Sequence, residues 1–261
     1  MGVMQQICRD LAAEHADLDG VVANLEAADW DRPTPADGWS VRDQISHLGY
    51  FDRTAVLAAR DPAAFARSVE RLVAGGVDAS VEPGRAMTPP ELLSWWRDGR
   101  VELVSVLETV DPSIRVPWYG PPMGARSFAT ARLMETWAHG QDVVDALGLE
   151  RAPTERLRHI AHIGVRARPF SYAVRGLDVP SRPVAVVLTG PAGDRWVWAE
   201  EADESISGPA LDFCLVVTQR RHPADTDLQA HGELAVEWLS LAQAFAGPPG
   251  PGRKAGQFRG R

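Results

Sequence analysis

The sequence is poor in cysteine and contains no long apolar run. Its two cysteines, Cys8 and Cys214, form neither a C-x-x-C pair nor a metal-ligand spacing, so we interpret both as small buried residues in a reducing compartment. No apolar run approaches the roughly 18–20 residues that a membrane-spanning helix requires. The N-terminal residues include acidic side chains and no uninterrupted apolar stretch, which argues against a secretory signal. We therefore expect a cytoplasmic protein that does not bind membranes.

Clustered basic charge is also missing. The formal net charge of the 261 residues is −8, and no basic block precedes the last ten residues. Nucleic-acid phosphates are held by clusters of lysine and arginine, so we do not expect nucleic-acid binding. Hydrophobic residues make up 45% and charged residues 24% of the chain, which is the balance of a globular protein with a core of its own.

The first 175 residues have the pattern of helices joined by segments rich in proline and glycine. Ser40 as N-cap, with Asp43 in the first turn, predicts a helix that continues to Arg60. The Thr88-Pro-Pro-Glu91 capping box predicts another helix, and Ser127 and Thr154 are predicted to cap two more. We therefore predict an up-and-down helix bundle over 1–175, with helices over 3–28, 40–60, 62–74, 88–110, 127–147 and 154–175.

A long irregular connection, 111–126, joins two of these helices and contains Trp118 and Tyr119. Connections of this length often line a functional site. Simple packing of the aromatic rings against the bundle is an equally good explanation, and the sequence leaves both open.

The pattern changes near residue 176. Runs of β-branched and alternating residues over 183–189 and 195–199, separated by a turn-rich segment, predict a hairpin. The segment 210–221 fits either a helix or a strand. An edge strand over 228–231 and an amphipathic helix over 233–246 complete a small α+β domain, 176–246. The proline- and glycine-rich residues 247–261 are predicted to form a flexible tail.

Histidines on helices are the best candidates for chemistry, because no dinucleotide, phosphate-loop or nucleophile-elbow motif is present. Glu135 and His139 are four residues apart, so both side chains project from one face of a helix. A divalent metal can bind such a carboxylate and imidazole when a third ligand comes from another helix. His47 is the natural third ligand, since Tyr50 and Phe51 one turn later suggest that its face is partly buried.

The same spacing also fits a solvent-exposed helix face. In a chain with 35 acidic residues and 7 histidines, one such pair is expected by chance, and Glu155–His159 is a second example. Arg132 and Asp142 lie on the same stripe as Glu135 and His139. Spacing alone therefore leaves the metal site open.

The segments 38–52 (GWSVRDQISHLGYFD) and 128–148 (FATARLMETWAHGQDVVDALG) resemble the mycothiol-dependent maleylpyruvate isomerase family, within the DinB-like metalloprotein superfamily. The resemblance implies that His47, Glu135 and His139 are metal ligands. The segment 213–239 resembles the family's small second domain, which favours a helix for 210–221. The implied fold is an α-helical DinB-like four-helix bundle followed by a small α+β domain.

The chain departs from the family just before its paired arginines, Arg220 and Arg221. An aromatic residue and a glycine usually precede the pair, whereas this chain has Val217, Thr218 and Gln219. The identity of the substrate is therefore open.

The resemblance implies a divalent metal, expected to be Zn²⁺, and mycothiol as cosubstrate. Two histidines and one carboxylate leave an open position on zinc, where a thiol is held as the nucleophilic thiolate. Our leading hypothesis is a mycothiol-dependent isomerase or S-transferase that acts on a small electrophile. Arg220 or Arg221 would pair with a carboxylate of the substrate or with the enolate formed after addition; a solvated helix end explains these arginines equally well.

Asp52 and Asp142 could orient the ligand imidazoles or merely lie in solvent, and for Asp52 we expect solvent exposure.

Two other functions are compatible with the same residues. With water in place of the thiol, the protein would be a metal-dependent hydrolase. A non-catalytic module that binds a metal or a small molecule is the third hypothesis, since a shared scaffold does not prove a shared reaction.

Overall fold

The chain forms two compact units, divided in sequence between Arg151 and Ala152. The computed structural model describes residues 2–258. Within that range no helix is both long enough and apolar enough to cross a membrane. The first unit contains six helices in its described part: α1 (Val3–Val22), α2 (Val41–Arg60), α3 (Pro62–Gly75), α4 (Glu82–Arg85), α5 (Pro89–Thr109) and α6 (Ala125–Leu147).

The four long helices α1, α2, α5 and α6 pack as a four-helix bundle, in which each helix contacts two of the others. Leu18 of α1, Ile45 of α2, Trp96 of α5 and Val143 of α6 belong to one buried cluster at its centre. Their burial removes apolar surface from water on every helix at once, which is the main stabilising contribution in such a bundle. The predicted fold class is confirmed.

Side-chain caps determine where two bundle helices begin. Ser40 Oγ accepts the backbone N–H of Asp43, and the carboxylate of Asp43 accepts the backbone N–H of Ser40. The carboxylate of Glu91 likewise accepts the backbone N–H of Thr88. The Thr88 box and the Ser40 N-cap lie where the sequence predicted them, because each satisfies backbone donors that have no partner within the helix. By contrast, α6 begins at Ala125, before the predicted cap Ser127.

The connection 111–126 is a small hairpin. Its strands β1 (Arg115–Val116) and β2 (Met123–Gly124) pair in antiparallel fashion and leave Trp118 and Tyr119 on the intervening loop. The 3₁₀ helices Ala27–Asp31 and Val77–Ser80 complete the first unit.

The second unit combines short helices with a four-stranded sheet. Its elements are α7 (Leu157–Arg166), α8 (Arg168–Ala173), β3 (Ala185–Thr189), β4 (Arg195–Trp198), β5 (Ser205–Pro209), α9 (Ala210–Val217), the 3₁₀ helix Pro223–Asp225, β6 (Gln229–His231) and α10 (Glu233–Leu241). The strand order in the sheet is β4-β3-β5-β6; β3 pairs with β4 and β5 with β6 in antiparallel fashion, and β3 pairs with β5 in parallel. The segment that the sequence left open is helical from Ala210, as the family resemblance favoured.

Three further predicted helices differ from the observed ones. The helix predicted over 3–28 ends at Val22, before the 3₁₀ helix Ala27–Asp31. The helix predicted over 154–175 is divided into α7 and α8, because Pro169 lacks the backbone N–H that a continuous helix needs. The helix predicted over 233–246 ends at Leu241, and the backbone N–H of Ala244 then donates to the carbonyl of Val217. Gly164 of α7 lies so close to α9 that a Cβ there would meet Val217 at 2.8 Å. The predicted domain boundary after residue 175 therefore falls inside the second unit.

The C-terminal segment contacts the rest of the second unit up to the last described residue. The backbone N–H of Gly256 donates to the carboxylate of Asp225, at 2.7 Å. The guanidinium of Arg221 lies 3.9 Å from the centre of the Phe258 ring, and Phe258 is buried. Composition predicts a flexible tail over 247–261; Gly256 and Phe258 make these contacts, residues 259–261 lie outside the described chain, and the flexibility stays a prediction.

Gln219 has a left-handed backbone conformation, with φ of 59°. A residue with a Cβ costs about 1–2 kcal/mol in this region, whereas glycine adopts it freely. We expect Gln219→Gly to be more stable than Gln219→Ala by about 1 kcal/mol, the reverse of the usual order of these residues in helices. Urea-unfolding midpoints of the two variants measure the difference, and equal midpoints would contradict it.

Candidate metal centre

His47, Glu135 and His139 come together in the bundle. One ligand atom from each lies within 4.8 Å of the other two. α2 supplies His47, and the adjacent helix α6 supplies Glu135 and His139, one turn apart. The imidazole rings of the two histidines are 4.4 Å apart between centroids. The three residues selected from the sequence thus form one cluster.

Hydrogen bonds fix the orientation of the His139 ring. Its Nδ1 lies 2.6 Å from Gln44 Oε1. The amide nitrogen of Gln44 donates to Thr34 Oγ1, whose own hydroxyl donates to the carbonyl of Trp39. Gln44 must therefore present its oxygen to His139, so Nδ1 carries the proton and Nε2 the lone pair. This is the tautomer that binds a metal through Nε2.

His47 is oriented in the same way. Its Nδ1 lies 2.9 Å from Ser80 Oγ. The hydroxyl of Ser80 donates to the carbonyl of Val77, at 2.6 Å. Since Ser80 has one proton to give, it accepts from His47 Nδ1–H, which again leaves the lone pair on Nε2.

A positive charge is needed between Glu135 and His139. His139 Nε2 is 3.3 Å from Glu135 Oε2, and each of these two atoms acts as an acceptor in the arrangement above. Two lone pairs at this distance repel unless a proton or a metal ion lies between them. Two imidazole nitrogens and a carboxylate oxygen are ligands that suit several divalent ions, zinc among them. The residues therefore fit a divalent metal.

Aromatic rings surround the histidines. The ring centroids of Trp39 and Phe51 lie 4.9 Å and 4.6 Å from that of His47, and Trp39 also stacks against His139. Trp118 and Tyr119 both contact Phe51. The hairpin loop that sequence could not interpret therefore packs against the ring beside His47. Such a wall limits the access of water to the ligands.

Asp52 and Asp142 are both buried. The expectation that Asp52 lies in solvent is wrong: its carboxylate accepts from the guanidinium of Arg132 at 2.8 Å and lies 3.7 Å from His15 Nε2. Helix α2 turns this side chain into the bundle, where an ion pair compensates for the loss of water. Gln44 and Ser80 bind the Nδ1 atoms of the two ligand imidazoles.

His15 gives the bundle a dependence on pH. Burial, aided by the charges of Arg100 and Arg132, lowers the pKa of His15 from 6.5 to about 4. Below pH 6.5 the unfolded chain binds a proton there that the native state does not bind, so stability falls as pH falls. We expect this residue to contribute a loss of about 3 kcal/mol between pH 6.5 and 4. Urea unfolding of wild type and His15→Leu across that range measures it; equal slopes would contradict it.

Arg220 and Arg221 lie in the second unit, just after α9. Both are buried, at 9% and 8% exposure. Arg220 Nη1 donates to the carbonyl of Thr218, and Arg221 Nη1 donates to the carbonyl of Arg220. They are not the solvated helix end that was the alternative explanation.

Residues 11–144 match the family model described as the mycothiol maleylpyruvate isomerase N-terminal domain. The chain belongs to this family. It is 50% identical over 248 residues to two proteins of Mycobacterium tuberculosis, the uncharacterized proteins MT0041 (strain CDC 1551 / Oshkosh) and Rv0036c (strain ATCC 25618 / H37Rv). The match covers 94% of this chain and 96% of each relative.

Solved structures support the fold of this maleylpyruvate isomerase family member. The crystal structure of the mycothiol-dependent maleylpyruvate isomerase matches with a TM-score of 0.57 and 14% identity, over 87% of this chain and 92% of that one. A point mutant of that enzyme matches equally well, over 84% and 90%. At this identity the likeness establishes the fold alone.

Ser80 and Gln44, which orient the two histidines, were not predicted from the sequence. Ser80 precedes α4 and is 33 residues from its partner His47, so no local pattern connects them. Gln44 lies one turn before His47, on the same helix, which is the one signal that could have suggested it. Trp39 lies in the turn before α2, inside the segment 38–52 that carries the family resemblance.

Gln44 offers a direct test of this orientation. We expect Gln44→Ala to weaken divalent-metal binding 10- to 100-fold, because His139 Nδ1–H loses its acceptor and the ring loses its fixed tautomer. Gln44→Glu keeps an acceptor and should retain most of the affinity. Gln141→Ala, which removes an amide bonded to Asp145 instead, is the matched control. Competition with a chelator measures each affinity, and equal values for the two alanine variants would contradict the assignment.

Proposed function

We propose that this protein is a mycothiol-dependent enzyme, an isomerase or S-transferase that acts on a small electrophile, with a divalent cation held by His47, Glu135 and His139. The observation that carries the proposal is the convergence of one nitrogen from each histidine and a carboxylate oxygen, with each histidine oriented by its own hydrogen bond. Family membership supports mycothiol as the thiol.

The donor set supports zinc as the ion. Two imidazoles and one carboxylate are a common set of protein ligands for catalytic zinc, which keeps a further position open for a reactant. When bound, such a cation lowers the pKa of a coordinated thiol and so supplies the nucleophilic thiolate at neutral pH.

The residues around the cluster have their own tasks. Gln44 and Ser80 hold the imidazoles in the ligand tautomer. Trp39 and Phe51 pack against the His47 ring and give the cluster an apolar surrounding. The side chain of Glu135 keeps 21% of its surface exposed, and this is the side from which reactants would enter.

The chemistry requires an acceptor for negative charge. The sulfur of the thiolate forms a C–S bond to an activated alkene, and the alkene electron pair moves to the conjugated carbonyl oxygen as an enolate. Expulsion of the thiolate after rotation about the C–C bond gives the isomer, whereas protonation of the carbon gives the S-conjugate. Arg220 or Arg221 is proposed to bind the carboxylate of the substrate or the enolate oxygen, as a guanidinium does well.

The test combines metal content with thiol chemistry. The full chain, purified without chelator, is analysed by elemental mass spectrometry and incubated with mycothiol and a panel of cis-configured unsaturated acids. About one divalent ion per chain, with mycothiol-dependent formation of a trans product or a thioether, supports the proposal, and the product separates isomerase from transferase. Metal with hydrolysis alone, metal with no turnover, or no metal would each overturn it, the first two in favour of a hydrolase or a binding module.

A further inference from the structure

The second unit contains a cavity that shares no residue with the metal cluster. Its volume is about 430 Å³, within the range of small-molecule sites. Its walls come from the end of α9, the segment 219–224, α10 and residues 250–253 of the C-terminal segment. All of these belong to one compact unit.

The wall of this cavity is basic in an acidic protein. Three arginines and a histidine line it: Arg175, Arg221, Arg253 and His222. None of its lining residues in the described chain is Asp or Glu, although the whole chain has a formal net charge of −8. The charge of Asp212 offsets that of Arg221, so Arg175 is the lining residue that would attract an anion most strongly.

Arg175 is the lining arginine whose contacts most favour an anion in the cavity. Its guanidinium donates to the carbonyl of Ser171, a neutral acceptor, and in the described part of the chain no carboxylate lies within ion-pair distance of it. Partial burial lowers its pKa, and no neighbouring carboxylate raises it. An anion in the cavity would supply that missing charge.

Two further groups line the cavity with polar atoms. His222 Nδ1 accepts the backbone N–H of Ala224, so its Nε2 carries the hydrogen and is a donor. Gln219, in its left-handed conformation, also lines the cavity. Strained backbone of this kind is concentrated at binding sites.

The remaining lining is largely apolar and includes Val216, Val236 and Leu239. An inorganic ion would leave this surface uncovered, whereas a ligand with an apolar body would bury it. We propose that the cavity is a binding site for a small organic carboxylate, with its apolar body against α9 and α10 and its charged group near Arg175 and His222.

The test uses 1-anilinonaphthalene-8-sulfonate, an apolar fluorescent anion, with the full-length protein. We expect saturable binding of about one molecule per chain and a Kd about tenfold weaker in Arg175→Gln, since a charged hydrogen bond is lost. Arg182→Gln is the matched control, because Arg182 pairs with Glu204 and does not line the cavity. His139→Ala should bind the probe as the wild type does, which separates this site from the metal cluster.

Competition identifies the class of ligand. Benzoate should displace the probe, whereas its neutral analogue benzamide and inorganic phosphate should not. Circular dichroism and thermal unfolding of each variant exclude a partly unfolded chain as the source of fluorescence. Non-saturable binding, equal binding by the Arg175 and Arg182 variants, or equal displacement by benzamide would overturn the proposal; displacement by phosphate alone would assign the cavity to phosphate.

Discussion

His139→Ala is expected to reduce the divalent metal content from about one ion per chain to background and to abolish mycothiol turnover with it. The substitution removes one of three ligands and leaves Glu135 and His47 without the nitrogen that faces them. A binding site with two remaining ligands holds zinc far more weakly. We expect the affinity to fall at least 100-fold, which is more than the loss expected when Gln44→Ala removes a hydrogen bond to a ligand.

The chain contains its own matched control for this experiment. Glu155 and His159 repeat the four-residue spacing of Glu135 and His139, but they belong to the second unit. His159→Ala should therefore retain both metal and turnover. Elemental mass spectrometry after dialysis measures the first and the loss of free thiol measures the second. Full metal content in His139→Ala, or equal losses in both variants, would show that the cluster is not the metal site.

The pairs Glu135–His139 and Glu155–His159 show what spacing in the sequence cannot decide. Both have an acid four residues before a histidine, and this spacing alone cannot separate them. In the structure Glu135 and His139 share α6, which packs against α2 with its His47. Glu155 instead precedes α7 and accepts the backbone N–H of Ala192. The resemblance to the family supplied this information, because it carried three separated segments in a fixed order.

The starts of helices were predicted more accurately from the sequence than the contacts between residues on different elements. The boxes at Ser40 and Thr88 were found because a cap needs only residues three positions apart. Ser80 could not be found, since it reaches His47 through the packing of a 3₁₀ helix against α2. Asp52 was misjudged for a related reason: a charged residue is assigned to solvent by default, and its buried partner Arg132 is 80 residues away.

Asp52→Ala is expected to destabilise the protein by about 3–5 kcal/mol, which is the usual cost of removing one partner from a buried ion pair. Asp52 is completely buried and Arg132 is 3% exposed, so the guanidinium would keep its charge in the core with no carboxylate at 2.8 Å. His15 would not compensate, because burial already lowers its pKa to about 4 and it is neutral at pH 7. Urea unfolding at pH 7 measures the change.

The double variant Asp52→Leu/Arg132→Met decides whether the pair itself stabilises the bundle or is only costly to break. If the loss in Asp52→Ala comes from the orphaned guanidinium, removing both charges should restore most of the stability, because well-packed apolar residues replace buried ion pairs at little cost. A double variant as unstable as the sum of the two single variants would contradict this. Since neither residue bonds to His47, Glu135 or His139 in the described hydrogen bonds, the folded fraction of every variant should keep its metal content. Stability and metal binding would then be separate properties of the same helices, with Asp52 and Arg132 responsible for the first and Gln44 and Ser80 for the second.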